Sequence, residues 1–281
     1  MKEYYLHLVG LRTLLRTPDD ITISARLQPF LCQPFGQTDC TITVRPCSAL
    51  PAFSESGVWH GAEYYDYHAD KMRIFHCSAP KTAAFSVTQI DKNEITVDVL
   101  EAHLPWFEGT SGIFNRIGME TLLLQHSGLL LHASLIEYDK NAIAFTGPSG
   151  IGKSTQAELW HRFCGAQVLN GDRAALRKNT SGWTAYGSPY AGTSGIYKNA
   201  SAPLKAIVVL RQTQENRLRR LSATEALRCV YPELTAHHWD KQFVATAMDL
   251  CLDLLETVPV YLLECVPQES AVQRLKEGLN L

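Results

Sequence analysis

Apolar and polar positions along this chain change rhythm near residue 125. Before it, short runs at residues 4–9, 21–23, 40–45, 72–76, 84–87 and 94–99 alternate between two faces or are briefly apolar, with turns rich in Pro, Gly, Asn and Asp between them. Period-two alternation turns one face of a strand toward a core, so these runs predict an antiparallel sheet. Ile117, Leu122 and Leu123 then fall at helical spacing and predict a helix over 113–125. Beyond it, strand and helix patterns intermix. Residues 129–136 and 142–145 predict two strands joined by a tight turn at 138–141, and 155–165 predicts a helix ending at Gly165. Strands follow at 166–169, 183–186, 206–210 and 260–265, with helices at 223–230, 240–256 and 269–279. The expected organisation is a β-rich unit with a linking helix over 1–125 and an α/β unit with a mixed sheet over 126–281, since a hairpin entering the second unit is incompatible with a purely parallel array.

The strongest local signal lies between the second strand of that hairpin and the helix after it. Gly147, Pro148, Ser149, Gly150, Ile151, Gly152, Lys153 and Ser154 satisfy G-x-x-x-x-G-K-[ST], and Thr155 follows. Glycines let successive N–H groups turn around phosphate oxygens, and the helix start adds its positive dipole end. Lys153 is expected to reach the terminal phosphates and the Ser154 hydroxyl to join a Mg²⁺ shell, so a nucleoside triphosphate is the implied ligand. The alternative is a coincidental glycine turn.

Composition narrows the rest. With 46% hydrophobic and 19% charged residues the chain is an ordinary globular protein, and a net charge of −2 gives no electrostatic case for nucleic acid or an anionic membrane. The first residues lack a basic segment and a long apolar stretch, and no apolar run approaches spanning length, so a cytoplasmic protein is expected. None of the eight cysteines forms a Cys-x-x-Cys pair, which favours buried reduced thiols.

Three motifs carry a resemblance. His132 in Leu-Leu-Leu-His-Ala-Ser, the loop 147–155, and Leu169-Asn170-Gly171-Asp172-Arg173 together resemble the HPr kinase/phosphorylase-like group, whose nucleotide core is shared with phosphoenolpyruvate carboxykinase. The likeness spans about 129–175 and does not cover 1–115. It implies a mixed-sheet P-loop domain, ATP and Mg²⁺ as cofactors, and transfer of the γ-phosphate to a serine of a peptide or protein acceptor. By the same likeness, His132 matches a strand histidine and Asp172 the second of two acids, acting as base or metal ligand, while Gly171 stands where the first acid is expected.

The residues themselves leave alternatives open. Asp172 sits where magnesium coordination or deprotonation of a nucleophile is needed, or it caps a turn. Arg173 neutralises a transferring phosphate or lies on the surface. His132 orients or relays protons near Asp172, or is satisfied within an apolar strand. Residues 187–195, dense in glycine and hydroxyls, read as a mobile lid or an ordinary loop. A non-catalytic ATP-binding regulatory or scaffold protein and a small-molecule kinase are the rival functions. ATP versus GTP, and a homo-oligomer versus a monomer, stay open.

Overall fold

The computed structural model describes residues 1–68, 71–108, 112–238 and 240–281, and the chain divides between Met119 and Glu120 into two units. In the first, β1 (Lys2–Leu8) and β2 (Leu11–Thr17) form a hairpin through Val9 and Gly10. Both turn residues take positive φ, 49° and 77°, the turn whose twist matches that of the strands it joins. The sheet continues with β3 (Cys40–Cys47), β4 (Val58–His60), β5 (Glu63–His68), β6 (Lys71–Ala79), β7 (Thr82–Asp91) and β8 (Glu94–Leu100), in the spatial order β1-β2-β3-β8-β7-β6-β5-β4.

The expected antiparallel sheet is mixed instead. From β4 to β8 the strands form an antiparallel meander, but β3 is parallel to both β2 and β8. Parallel neighbours need a crossover, and residues 18–39 supply one. The run 21–23, expected as a strand, lies in this crossover, where Ile21 and Ile23 are buried and anchor it to the core. Gly118, at φ 70°, breaks the expected helix over 113–125 into α1 (Gly112–Ile117) and α2 (Met119–Gln125).

The second unit contains β9 (Gly128–Tyr138), β10 (Asn141–Thr146), α3 (Lys153–Cys164), β11 (Gln167–Asn170), β12 (Arg173–Asn179), β13 (Gly182–Tyr186), β14 (Ser201–Gln212), β15 (Arg217–Arg220), α4 (Ala223–Val230), α5 (Lys241–Thr257), β16 (Val260–Cys265) and α6 (Glu269–Leu279). The β9–β10 hairpin turns on Asp139 and Lys140, both at positive φ. Parallel pairing of β10 with β14, and of β14 with β16, is combined with antiparallel neighbours elsewhere, so the sheet is mixed as expected. Two long strands, β9 and β14, each pair with three others, and the pairings close a ring from β10 through β9, β12, β13 and β14 back to β10.

Alternation along these strands feeds two cores. Ala142, Ala144, Ile207 and Val209 join Val230, Phe243, Cys251 and Leu254 from α4 and α5. Ile143, Phe145, Ala206 and Val208 join Ala157 and Trp160 of α3 and Val272 and Leu275 of α6. Helices therefore cover both faces, and β10, buried from Ala142 to Thr146, delivers the chain from the middle of the sheet into the glycine loop.

Candidate functional site

The loop is built by its glycines. Gly147, Gly150 and Gly152 have φ of 134°, 79° and 109°, values that side chains resist. A Cβ at Gly150 or Gly152 would meet nothing within 4 Å, so at these two the requirement is conformational, whereas Gly147 is packed against Ile151 and the backbone of Leu210. Gly152 is the N-cap of α3 and offers no side-chain acceptor to the first turn. The amides there point outward as donors. Ser154 and Thr155 are exposed on that turn, as are Pro148, Ser149 and Gly150 on the loop. Lys153 is nearly buried, and its ammonium donates to the carbonyls of Gly147 (2.7 Å) and Pro148 (3.1 Å).

Asp172 is presented by a bulge. Both β11 and β12 run antiparallel to β9, pairing Val168 with Ile136 and Arg173 with His132, so they form one strand interrupted at Gly171 and Asp172. Ala133 N–H donates to the Asp172 carbonyl (3.0 Å), which keeps the interruption on the β9 edge. The fully buried Asn170 shapes it. Its Oδ1 accepts from the amides of Asp172 (2.8 Å) and Arg173 (2.7 Å), and its Nδ2 donates to the carbonyls of Ser188 and Tyr190. A bulge of this kind re-aims one side chain, here the Asp172 carboxylate.

The segment 187–195 is tied to that bulge. Ser188, fully buried, donates through Oγ to the Arg173 carbonyl (2.7 Å), and Gly171 N–H donates to the Ile196 carbonyl (3.2 Å). At Gly192 a Cβ would come within 2.8 Å of the Asp172 side chain, so this glycine lets the segment close against the carboxylate. The segment forms a wall of the site. Arg173 lies over the Tyr190 ring (5.1 Å) and 3.8 Å from the Asp172 carboxylate.

His132 brings in an acid that sequence reading missed. Its Nδ1 is 3.1 Å from Oε2 of Glu233, which lies in the single turn Tyr231–Glu233 after α4. Neither the loop nor the strand pattern points to Glu233, because it is far along the chain and comes into reach through the pairing of Leu234 with Leu131. Burial pushes the Lys153 ammonium below its ordinary pKa, and the negative charges of Glu233 and Asp172 oppose that shift. Lys153, Asp172, Glu233 and His132 thus share one electrostatic neighbourhood.

These groups fit a nucleoside triphosphate. The open positive-φ glycines, the uncapped helix start and the Lys153 ammonium match the shape and charge of a phosphate chain. Among the described residues no three His, Cys, Asp or Glu side chains converge to hold a metal ion. Ser154 and Asp172 are donors of the kind magnesium uses when it arrives with phosphate oxygens and water rather than in an all-protein cage.

Residues 119–269, more than half of the chain, match the family described as SynChlorMet cassette protein ScmC. No curated protein matches. A solved structure, the Hpr(Ser) kinase/phosphatase from Coxiella burnetii, aligns over 53% of this chain and 95% of its own at 14% identity, with a TM-score of 0.32. The chain belongs to the ScmC family.

Proposed function

We propose that this member of the ScmC family is an ATP- and magnesium-dependent kinase that phosphorylates a serine hydroxyl of a peptide or protein, the acceptor being encoded in the same cassette. The observation that carries the proposal is the phosphate loop opening on α3, with the Asp172 bulge held on β9, the strand next to the one that leads into that loop. ATP, when bound, supplies the transferable phosphoryl group, and magnesium draws charge from it. The amides of Gly150 and of residues 152–154 would hold the phosphates, and Lys153 would exchange its two carbonyl partners for phosphate oxygens. Ser154 and Asp172 would hold the metal. Asp172 would take the proton of the acceptor hydroxyl as its oxygen bonds to the γ-phosphorus and the bond to the β-phosphate oxygen breaks, releasing ADP. Arg173, already beside Asp172, would neutralise charge on the group in transit.

The assay uses γ-labelled ATP, Mg²⁺ and the peptides of the cassette. Label is expected on serine, reduced about a hundredfold or more by Lys153→Ala and by Asp172→Asn, with folding intact. A glycine at 171 favours a second reading, a protein that binds ATP without turnover. Binding of ATP with no label on any peptide, unaffected by Asp172→Asn, would establish that reading and sink the kinase. Label on a metabolite instead would mark a small-molecule kinase.

A further inference from the structure

Position 171 is crowded against any side chain, because a Cβ placed on Gly171 would fall within the Ser194 hydroxymethyl group, which would have to move. Ser194 is held there by its own bonds, donating to the Ala191 carbonyl (2.8 Å) and accepting from Ile196 N–H (3.2 Å). A second carboxylate nevertheless reaches the site from the opposite direction. Thr235 N–H donates to the Leu130 carbonyl (2.8 Å) and Leu234 bridges to Leu131, which pins the turn bearing Glu233 against β9. The Glu233 side chain is 15% exposed and that of His132 34%, so the pair faces the site edge with partial access to solvent.

His132 is itself fixed at the junction of the two other parts of the site. Its carbonyl accepts from Thr146 Oγ1 (2.9 Å), the residue immediately before Gly147. The next residue along β9, Ala133, bonds the Asp172 carbonyl, and His132 stands opposite Arg173 in the ladder. Glu233 from the turn after α4 thus meets the His132 ring directly, Arg173 from the β11–β12 bulge stands across the ladder from it with Asp172 next in sequence, and the charges of Glu233 and Asp172 both act on the Lys153 ammonium.

We propose that Glu233 is the second carboxylate of the phosphoryl-transfer site, acting through His132 as a positioning residue in place of an acid at 171. The proposal rests on the kinase reading above. A carboxylate has only acceptors, so the 3.1 Å contact requires hydrogen on Nδ1 and leaves Nε2 of the neutral ring with its lone pair. In that tautomer His132 can receive a proton passed on from the acceptor hydroxyl or from Asp172, and the negative charge of Glu233 stabilises the imidazolium that results.

The test combines kinetics with the state of the ring. Glu233→Ala is expected to lower kcat on the order of a hundredfold while KM for ATP and the binding of a fluorescent ATP analogue stay at parental values. Glu233→Asp is expected to recover part of the loss, and Glu233→Ala with His132→Asn to be no slower than His132→Asn alone, because a residue acting through another adds nothing once that other is gone. Independently of turnover, nitrogen NMR of the parent ring is expected to show Nδ1 protonated and Nε2 free, with Glu233→Ala relaxing that preference. Parental kcat in Glu233→Ala, additive losses in the double variant, or a parent ring protonated on Nε2 would each overturn the proposal. A parent that transfers no phosphate would overturn the kinase reading instead, while the ring tautomer still reports on the pair.

Discussion

Gly171 shows how a single residue can be forced by one that lies far from it in sequence. Its φ is not positive, so its backbone does not call for glycine, and it is the Ser194 side chain that crowds out a Cβ. Gly171→Asp is therefore expected to destabilise the chain by about 1–3 kcal/mol through overpacking, read as a lower melting temperature. Ser194→Gly alone should also cost stability, since it removes two hydrogen bonds. Because both substitutions act on the same few ångströms, the double variant should melt above the sum of the two losses. Additive losses would mean that the segment 187–195 does not hold Ser194 against Gly171. The resemblance in sequence makes 171 a place where an acid is expected, but what favours glycine there sits 23 residues on, in a segment that reads as a lid or an ordinary loop.

The elements differ in how legible they are. The glycine loop, the hairpin before it and the helix after it follow from local rules, because glycine spacing, turn chemistry and alternation all act within a few residues. By contrast β12, Arg-Ala-Ala-Leu-Arg-Lys-Asn, is made of good helix formers, and it is a strand because the edge of β9 captures it. In β2, Leu11, Leu14 and Leu15 fall at helical spacing although all lie buried in one strand. Glu233 was invisible for a related reason: its position depends on where α4 ends and on a two-residue bridge to β9. The start of α4 is set by a capping box in which Ser222 and Glu225 bond each other's backbone amides. The Glu225 carboxyl is held down at about 2, first by its hydrogen bond from Arg219 and then by those from Ser222. A carboxyl with its pKa depressed on folding contributes stability above its ordinary value of 4.5 and loses it as pH falls through about 2. Acid titration followed by circular dichroism should thus show a loss between those limits that Glu225→Gln removes, and Ser222→Ala should cost about 1 kcal/mol at neutral pH. An unchanged acid profile in Glu225→Gln would assign the depression to other groups.

At the scale of the whole molecule the eight cysteines, all unpaired, act as built-in probes of the two units. They were expected to be buried, yet only Cys40, Cys251 and Cys265 are, while Cys32, Cys47, Cys77, Cys164 and Cys229 are partly accessible. Burial, with Asp91 and Asp39 nearby, pushes the Cys40 thiol up to about 12, and burial pushes Cys251 up to about 11. Because the thiolate is the reactive form, the three buried thiols should escape a thiol reagent at neutral pH until their surroundings open, whereas the other five should label in the native state. Cys40 reports on the first unit and Cys251 on the second, where it lies on the buried face of α5. A ligand that binds only the folded state stabilises it by about 2.7 kcal/mol at a hundred times its Kd. ATP with Mg²⁺ should then raise the urea concentration at which Cys251 becomes reactive, and Lys153→Ala should weaken that shift. If saturating nucleotide left the Cys251 midpoint where it was, the phosphate loop of the second unit would not be a nucleotide site, and the kinase reading would fall with it.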